Sequence, residues 1–255
     1  MPAHGLGGRL RAPSARALSI TASVVAGLGL LYLGARETPV FALQELEVSG
    51  VSPAVRRSVE AAAKPYVGES LVALDQDELR RQLQSLSTVR SVRMDRAFPH
   101  TLRIVVVPER PLAVVRRGPD AWLVSEHGRV IRELEPGRRN TRTNVWTGPD
   151  TSLAVGGTVA DDELRAVLDT LRRVPDTFPA RVSMARVEDE EVMLVLAGGA
   201  ELRLGERTSL PLKLAVAARV LAAMTAEERG DLGYLDVAVP KLPVVGDSLK
   251  SQVEG

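Results

Sequence analysis

Hydrophobic and polar positions alternate with different periods along the chain, and the first stretch has no period at all. From Ala17 to Ala35 the sequence ALSITASVVAGLGLLYLGA runs uncharged between Arg16 and Arg36. As a helix it spans roughly 28 Å, close to the ~30 Å hydrocarbon core of a bilayer. Arg9, Arg11 and Arg16 precede the run and Glu37 follows it, so the positive-inside rule predicts a cytoplasmic leader over 1–16 and a transmembrane helix over 17–35. A cleaved signal peptide needs small residues at both −3 and −1 of its cleavage site, which Leu33 and Ala35 supply poorly. A buried helix of a soluble domain would show a polar stripe, and none interrupts the segment.

Beyond the run the pattern becomes periodic. Phe41 to Ser49 reads as a strand through its Leu46/Val48 alternation, with a slip of parity between Leu43 and Leu46. Ser52-Pro53 marks a helix start, with Val55, Val59 and Ala62 on one face and Pro65 as its stop. Asp75 with Glu78 reads as a variant capping box opening a second helix, whose buried stripe is Leu79, Leu83 and Leu86. Val92/Met94 and Leu102/Ile104/Val106 are two further strands joined by Ala97-Phe98-Pro99-His100. The predicted order is strand, helix, helix, strand, strand over 41–110.

From Pro111 the chain reads as short strands punctuated by turns, a meandering antiparallel sheet over 111–240 with two helices. Those helices are Asp161 to Val174, carrying Leu164, Leu168 and Leu171, and Ser209 to Met224, carrying Leu210, Leu214, Ala217 and Leu221. Glu135 to Arg142 reads as an exposed loop. Gly198-Gly199 between Val192/Leu194/Leu196 and Leu202/Leu204 signals a hairpin. Tyr234 to Val239 is the last predicted strand, and 241–255 reads as a flexible tail.

Composition removes most chemistry. There is no cysteine, so disulfides, thiolate metal sites and cysteine nucleophiles are excluded. Basic and acidic residues number 33 and 32, and three of the arginines belong to the leader, so no basic excess remains for a nucleic-acid partner. His4, His100 and His127 are the only histidines and lack metal-ligand spacing. Asp161-Asp162-Glu163 point in different directions on a helix and favour its positive end rather than a metal. Arg90, Arg93 and Arg96, with Arg116-Arg117 and Arg138-Arg139, read as a solvated face or as a basic patch toward acidic lipid or a partner. No catalytic, cofactor-binding or metal-binding residue is assigned. The residues alone therefore describe an anchored extracytoplasmic binding protein of α+β class.

The order of these elements resembles the bacterial cell-division family FtsQ/DivIB. Phe41 to Gly50 is similar to the opening strand of that family's POTRA module, and Val89 to Glu109 to its hairpin. Phe98-Pro99-His100-Thr101-Leu102-Arg103-Ile104 matches the hairpin pattern and Glu109-Arg110-Pro111-Leu112-Ala113 its exit. Trp122-Leu123-Val124 through Gly128-Arg129-Val130 resembles a later hairpin, and Tyr234-Leu235-Asp236-Val237 a late strand, in which Ala238 replaces the usual arginine.

The resemblance implies a transmembrane helix, a POTRA-like β-α-α-β-β module and a C-terminal β domain acting without catalysis. It implies a divisome scaffold at the septum, joined to FtsB/DivIC-like and FtsL-like membrane proteins and to other septal cell-wall synthesis proteins. The family's partner site is a strand addition at the last strand, which maps to an edge from Leu235 to Leu242, with Tyr234, Leu235, Val237, Val239, Lys241 and Leu242 as partner-binding residues. Two other functions are compatible with the pattern. A POTRA-bearing envelope assembly protein would carry a long β-barrel after the module, and an anchored secreted enzyme would need a catalytic constellation that the sequence does not display.

Overall fold

The computed structural model describes residues 22–27, 29, 34, 39–135, 137, 140–188 and 191–247. The predicted leader and most of the predicted transmembrane helix lie outside these residues, as do Arg138 and Arg139. Residues 22–27 are helical and exposed, and no helix among the described residues is long and apolar enough to cross a membrane. The chain divides into two compact units, residues 1–83 with 92–105 and residues 84–91 with 106–255.

The first unit is built on β1 (Glu45–Ser49), α1 (Pro53–Ala63), α2 (Gln76–Ser85), β2 (Val89–Ala97) and β3 (Thr101–Pro108). Its sheet has the order β1-β3-β2, and β1 runs parallel to β3 with Leu46 opposite Leu102 and Val48 opposite Ile104. The helix–helix crossover between β1 and the β2–β3 hairpin makes this parallel pairing possible. Val48, Val59, Ala63, Leu79, Leu83, Leu102 and Ile104 are buried, so both helical stripes and the inward sheet positions supply this unit's core.

Three details differ from the sequence reading. The first strand begins at Glu45, because residues 41–43 bond instead to the loop at 68–71: Leu71 N–H donates to Phe41 O, and Gly68 N–H to Leu43 O. That explains the slipped parity. Proline opens α1 as expected, yet the Ser52 side chain makes no cap bond, and Ala63 rather than Ala62 is buried. Asp75 does cap α2, its Oδ1 accepting from Asp77 and Glu78 N–H, while Leu86 falls beyond the helix end.

The second unit is a nine-stranded sheet in the order β12-β11-β10-β9-β8-β7-β4-β5-β6. Its strands are β4 (Pro111–Arg117), β5 (Asp120–Ser125), β6 (Val130–Leu134), β7 (Thr143–Trp146), β8 (Val182–Glu188), β9 (Glu191–Leu196), β10 (Glu201–Gly205), β11 (Leu232–Asp236) and β12 (Val244–Asp247). The sheet is mixed rather than antiparallel, since β4–β7, β7–β8 and β10–β11 pair in parallel. Each parallel neighbour is reached through a crossover, and α3 (Asp162–Arg173) and α4 (Leu210–Ala223) fill two of them.

A short third helix, α5 (Ala226–Asp231), follows α4, where the pattern predicts only two. The stripes Leu164, Leu168 and Leu171 of α3 and Leu210, Leu214, Ala217 and Leu221 of α4 join one core with Leu194, Leu202, Leu204, Leu235 and Val237 of the sheet side. Asp161 caps α3 through a 2.7 Å bond from Leu164 N–H to Oδ1, which is the role expected for this acidic run. A smaller cluster of Val114, Ala121, Leu123 and Ile131 occupies the opposite face of β4 to β6.

Candidate partner-binding surface

The strand expected over Tyr234 to Val239 runs from Leu232 to Asp236. Its stop is chemical: Asp236 Oδ1 accepts from Ala238 N–H at 2.8 Å, an Asx turn that diverts the backbone. A second turn follows, closed by Leu242 N–H donating to Val239 O. The chain then returns as β12, antiparallel to β11, with Leu235 opposite Val245 and Asp236 opposite Val244.

The edge expected from Leu235 to Leu242 is therefore not an edge. Between β10 and β12, β11 has both sides of its backbone occupied, and among the described residues the terminal strand on this side of the sheet is β12. The expected flexible tail contributes this strand through Val244 to Asp247, and residues 248–255 lie outside the described ones.

The six residues expected to bind a partner separate into three groups. Leu235 and Val237 are fully buried in the core, so their side chains pack inside the unit rather than on its surface. Val239, Lys241 and Leu242 lie in the exposed turn before β12, with Leu242 73% and Val239 58% exposed. Tyr234 is half-buried on the sheet face away from the helices. Val244 and Val245, missed in the sequence, are about half exposed at 51% and 46%. A β-branched pair behind Pro243 was the available signal.

Registers across β8 to β12 arrange the face beneath this edge in two rows. Met184, Val195, Glu201, Tyr234 and Gly246 are successive cross-strand neighbours, as are Arg186, Met193, Arg203, Asp236 and Val244. Glu201 sits between two guanidinium groups, 2.9 Å from Arg203 Nη2 and 3.5 Å from Arg186 Nη2. Arg203 also lies over the Tyr234 ring, 4.5 Å from its centroid, a cation–π contact that holds the ring against the sheet. The surface thus combines an open backbone edge, exposed aliphatic side chains and an ordered polar row, and these features suit a polypeptide partner.

Among the described residues no group of three His, Cys, Asp or Glu side chains is placed to hold a metal. His127 Nδ1 lies 3.6 Å from Glu109 Oε2 and 3.7 Å from Glu126 Oε1, but the Glu109 side chain is only 4% exposed, closed to a substrate. Within the arginine groups, Arg96 donates to Leu74 O, Arg116 to Asn144 Oδ1 and Arg117 to Thr151 O. Those three are tied into the fold, while Arg90 and Arg93 are exposed.

Family models match two successive stretches of the chain. Residues 41–109 match the model of the POTRA domain, FtsQ-type, and residues 113–238 that of the Cell division protein FtsQ/DivIB, C-terminal. Cell division protein FtsQ of Myxococcus fulvus is 31% identical over 232 residues, covering 84% of this chain and 78% of the relative. Cell division protein FtsQ of Streptomyces venezuelae is 27% identical over 246 residues, covering 94% and 87%. The solved major extracytoplasmic domain of DivIB from Geobacillus stearothermophilus aligns with 48% of this chain and 92% of its own, at 14% identity and a TM-score of 0.29. With both family models matched in order and a relative of this similarity aligned along most of its length, the chain belongs to the FtsQ/DivIB family of cell division proteins.

Proposed function

We propose that this protein is a non-catalytic scaffold of the division septum, anchored by residues 17–35 with its N-terminus in the cytoplasm, that recruits septal partners to the β12 side of the sheet in its second unit. The observation that carries the reading is the free edge of β12. Unpaired main-chain groups on a terminal strand are a template for another strand, and exposed Leu242, Val244 and Val245 supply apolar contacts beside it. The partner is an extended segment of an FtsB/DivIC-like protein, accompanied by an FtsL-like one. Other septal cell-wall synthesis proteins join through that complex. No cofactor, metal or nucleic acid takes part.

Main-chain recognition makes a specific demand on variants. Adjacent residues of a strand turn their N–H groups to opposite edges, so one of Val244 and Val245 offers its donor to the partner and the other to β11. Proline removes that donor, whereas threonine keeps it. The full chain carrying Val244→Pro, Val245→Pro, Val244→Thr or Val245→Thr is co-purified with the FtsB/DivIC-like protein, with circular dichroism checking the fold. One proline variant should lose the partner while both threonine variants keep it. Undiminished capture by both folded proline variants would place the interface elsewhere.

A further inference from the structure

The end of the first unit where β1 begins carries an apolar tip that its core does not use. Phe98 is 55% exposed, Val40 60% and Val67 46%. These residues come from three separate segments, and hydrogen bonds tie the segments together. Gln44 N–H donates to His100 O at 2.9 Å, which fixes the β2–β3 turn beside the entry to β1. Gly68 N–H donates to Leu43 O and Leu71 N–H to Phe41 O, both at 2.8 Å, which fixes the 67–71 loop against the same entry. Phe98 is held edge-on to Phe41 with ring centroids 5.8 Å apart. Phe98 thus rests against Phe41 while more than half of it stays open to solvent.

The position of this tip in the chain says what covers it. The uncharged run ends at Ala35, five residues before Val40. Five residues reach at most ~18 Å even when fully extended, so a tip at Val40 cannot stand far from the surface where that run leaves a bilayer. An exposed aromatic ring with flanking aliphatic side chains is the chemistry that partitions into the headgroup–acyl boundary. Exposed Glu45 and Glu69 stand close by along the chain, which makes attraction to anionic headgroups a poor driving force and leaves apolar insertion.

We propose that Phe98, Val40 and Val67 form a membrane-contacting tip that rests in the lipid interface and fixes the orientation of the first unit on the bilayer. This rests on the anchoring of residues 17–35, and the experiment separates the two. Because the chain has no cysteine, a single introduced thiol carries a fluorophore uniquely. The full-length protein is labelled at Val67→Cys, or at Ala54→Cys in α1 beyond the opposite end of β1. Each is reconstituted in phosphatidylethanolamine–phosphatidylglycerol vesicles with and without lipid spin-labelled high on the acyl chain, and floated on a density gradient.

Insertion of ~5–10 Å should quench the Val67 label roughly twofold or more above the Ala54 label. Adding Phe98→Ser should return the Val67 label to the Ala54 level, with an unchanged melting curve confirming the fold. Protein that fails to float overturns the anchor and the tip together. Protein that floats with equal quenching at the two positions overturns the tip alone. Quenching at Val67 that survives Phe98→Ser also overturns it, since the linker would then hold the unit near the lipid without the ring.

Discussion

The Tyr234 ring lies directly over the backbone of Gly246, its cross-strand neighbour on β12. A Cβ at position 246 would clash with the ring, 2.8 Å from Cδ1 and closer still to Cε1. Any other residue at 246 must drive the ring away, and the ring is also the platform under the Arg203 guanidinium. The glycine matters here for space, and through it the edge strand, the aromatic ring and the polar row are coupled.

Gly246→Ala should therefore cost about 1 kcal/mol, the scale of an off-rotamer side chain, and lower the melting temperature by ~2–4 °C. In a Tyr234→Ala background the same substitution should cost almost nothing, because the obstructing ring is gone. Thermal melts of the four variants measure the coupling. Equal effects in both backgrounds would show that the ring does not press on position 246.

Leu83 is fully buried on the stripe it shares with Leu79. Leu83→Asp would place an unpaired carboxylate there and should unfold the first unit, at a cost of several kcal/mol. Limited proteolysis of the full chain reads this out as new cleavage within residues 41–83. A protease pattern and melting curve like the parent's would show that α2 does not bury this face.

These predictions differ in how far they were legible beforehand. The stripes Val59 and Leu79/Leu83 could be read because a helix buries residues at a period fixed by its own geometry. β12 could not, although Val244 and Val245 alternate with nothing that forbids a strand. Whether β11 is an edge depends on a return of the chain after two turns, and the Asp236 carboxylate that starts the first turn also reads as an ordinary outward strand residue. Likewise β7 presents only Val145 to the core, and its parallel neighbours β4 and β8 lie far away in sequence. Alternation shows that a segment is a strand without showing which strand lies beside it. The expected edge thus falls on β11, which is paired on both sides, while the terminal strand of the same hairpin is β12.

Glu228 closes a capping box at α5, its Oε2 accepting from Thr225 N–H at 2.7 Å. That backbone donor, and then the Thr225 hydroxyl, hold the Glu228 carboxyl below the usual range. A carboxyl whose pKa falls on folding contributes its stability above the unfolded-state value, and the contribution is lost as the pH falls through the folded-state value. Glu228→Ala should accordingly lower the melting temperature at pH ~7 by more than it does in acid, the gap shrinking as the pH falls through the folded-state value. An equal gap at neutral and acid pH would mean that helix propensity alone accounts for the loss.

Gly205 and Gly118 both adopt the left-handed region, at φ +60° and +58°, yet only one of them is crowded. Nothing lies within 4 Å of a Cβ at Gly118, whereas one at Gly205 would stand 2.8 Å from the Ala238 Cβ and 3.4 Å from its Cα. Alanine at either site pays the ~1–2 kcal/mol cost of a left-handed L residue. At Gly205 it must also push back the turn that leads from β11 toward β12, where Val237 N–H donates to Arg203 O at 3.0 Å. Gly205→Ala should be the more destabilising by at least ~1 kcal/mol, in keeping with overpacking of a well-filled site. It should also weaken partner capture, because the displaced turn carries the chain into the edge strand. Gly118→Ala should leave capture intact. Chemical denaturation and co-purification of the two full-length variants test both halves, and equal losses of stability would show that the Ala238 turn yields without resistance.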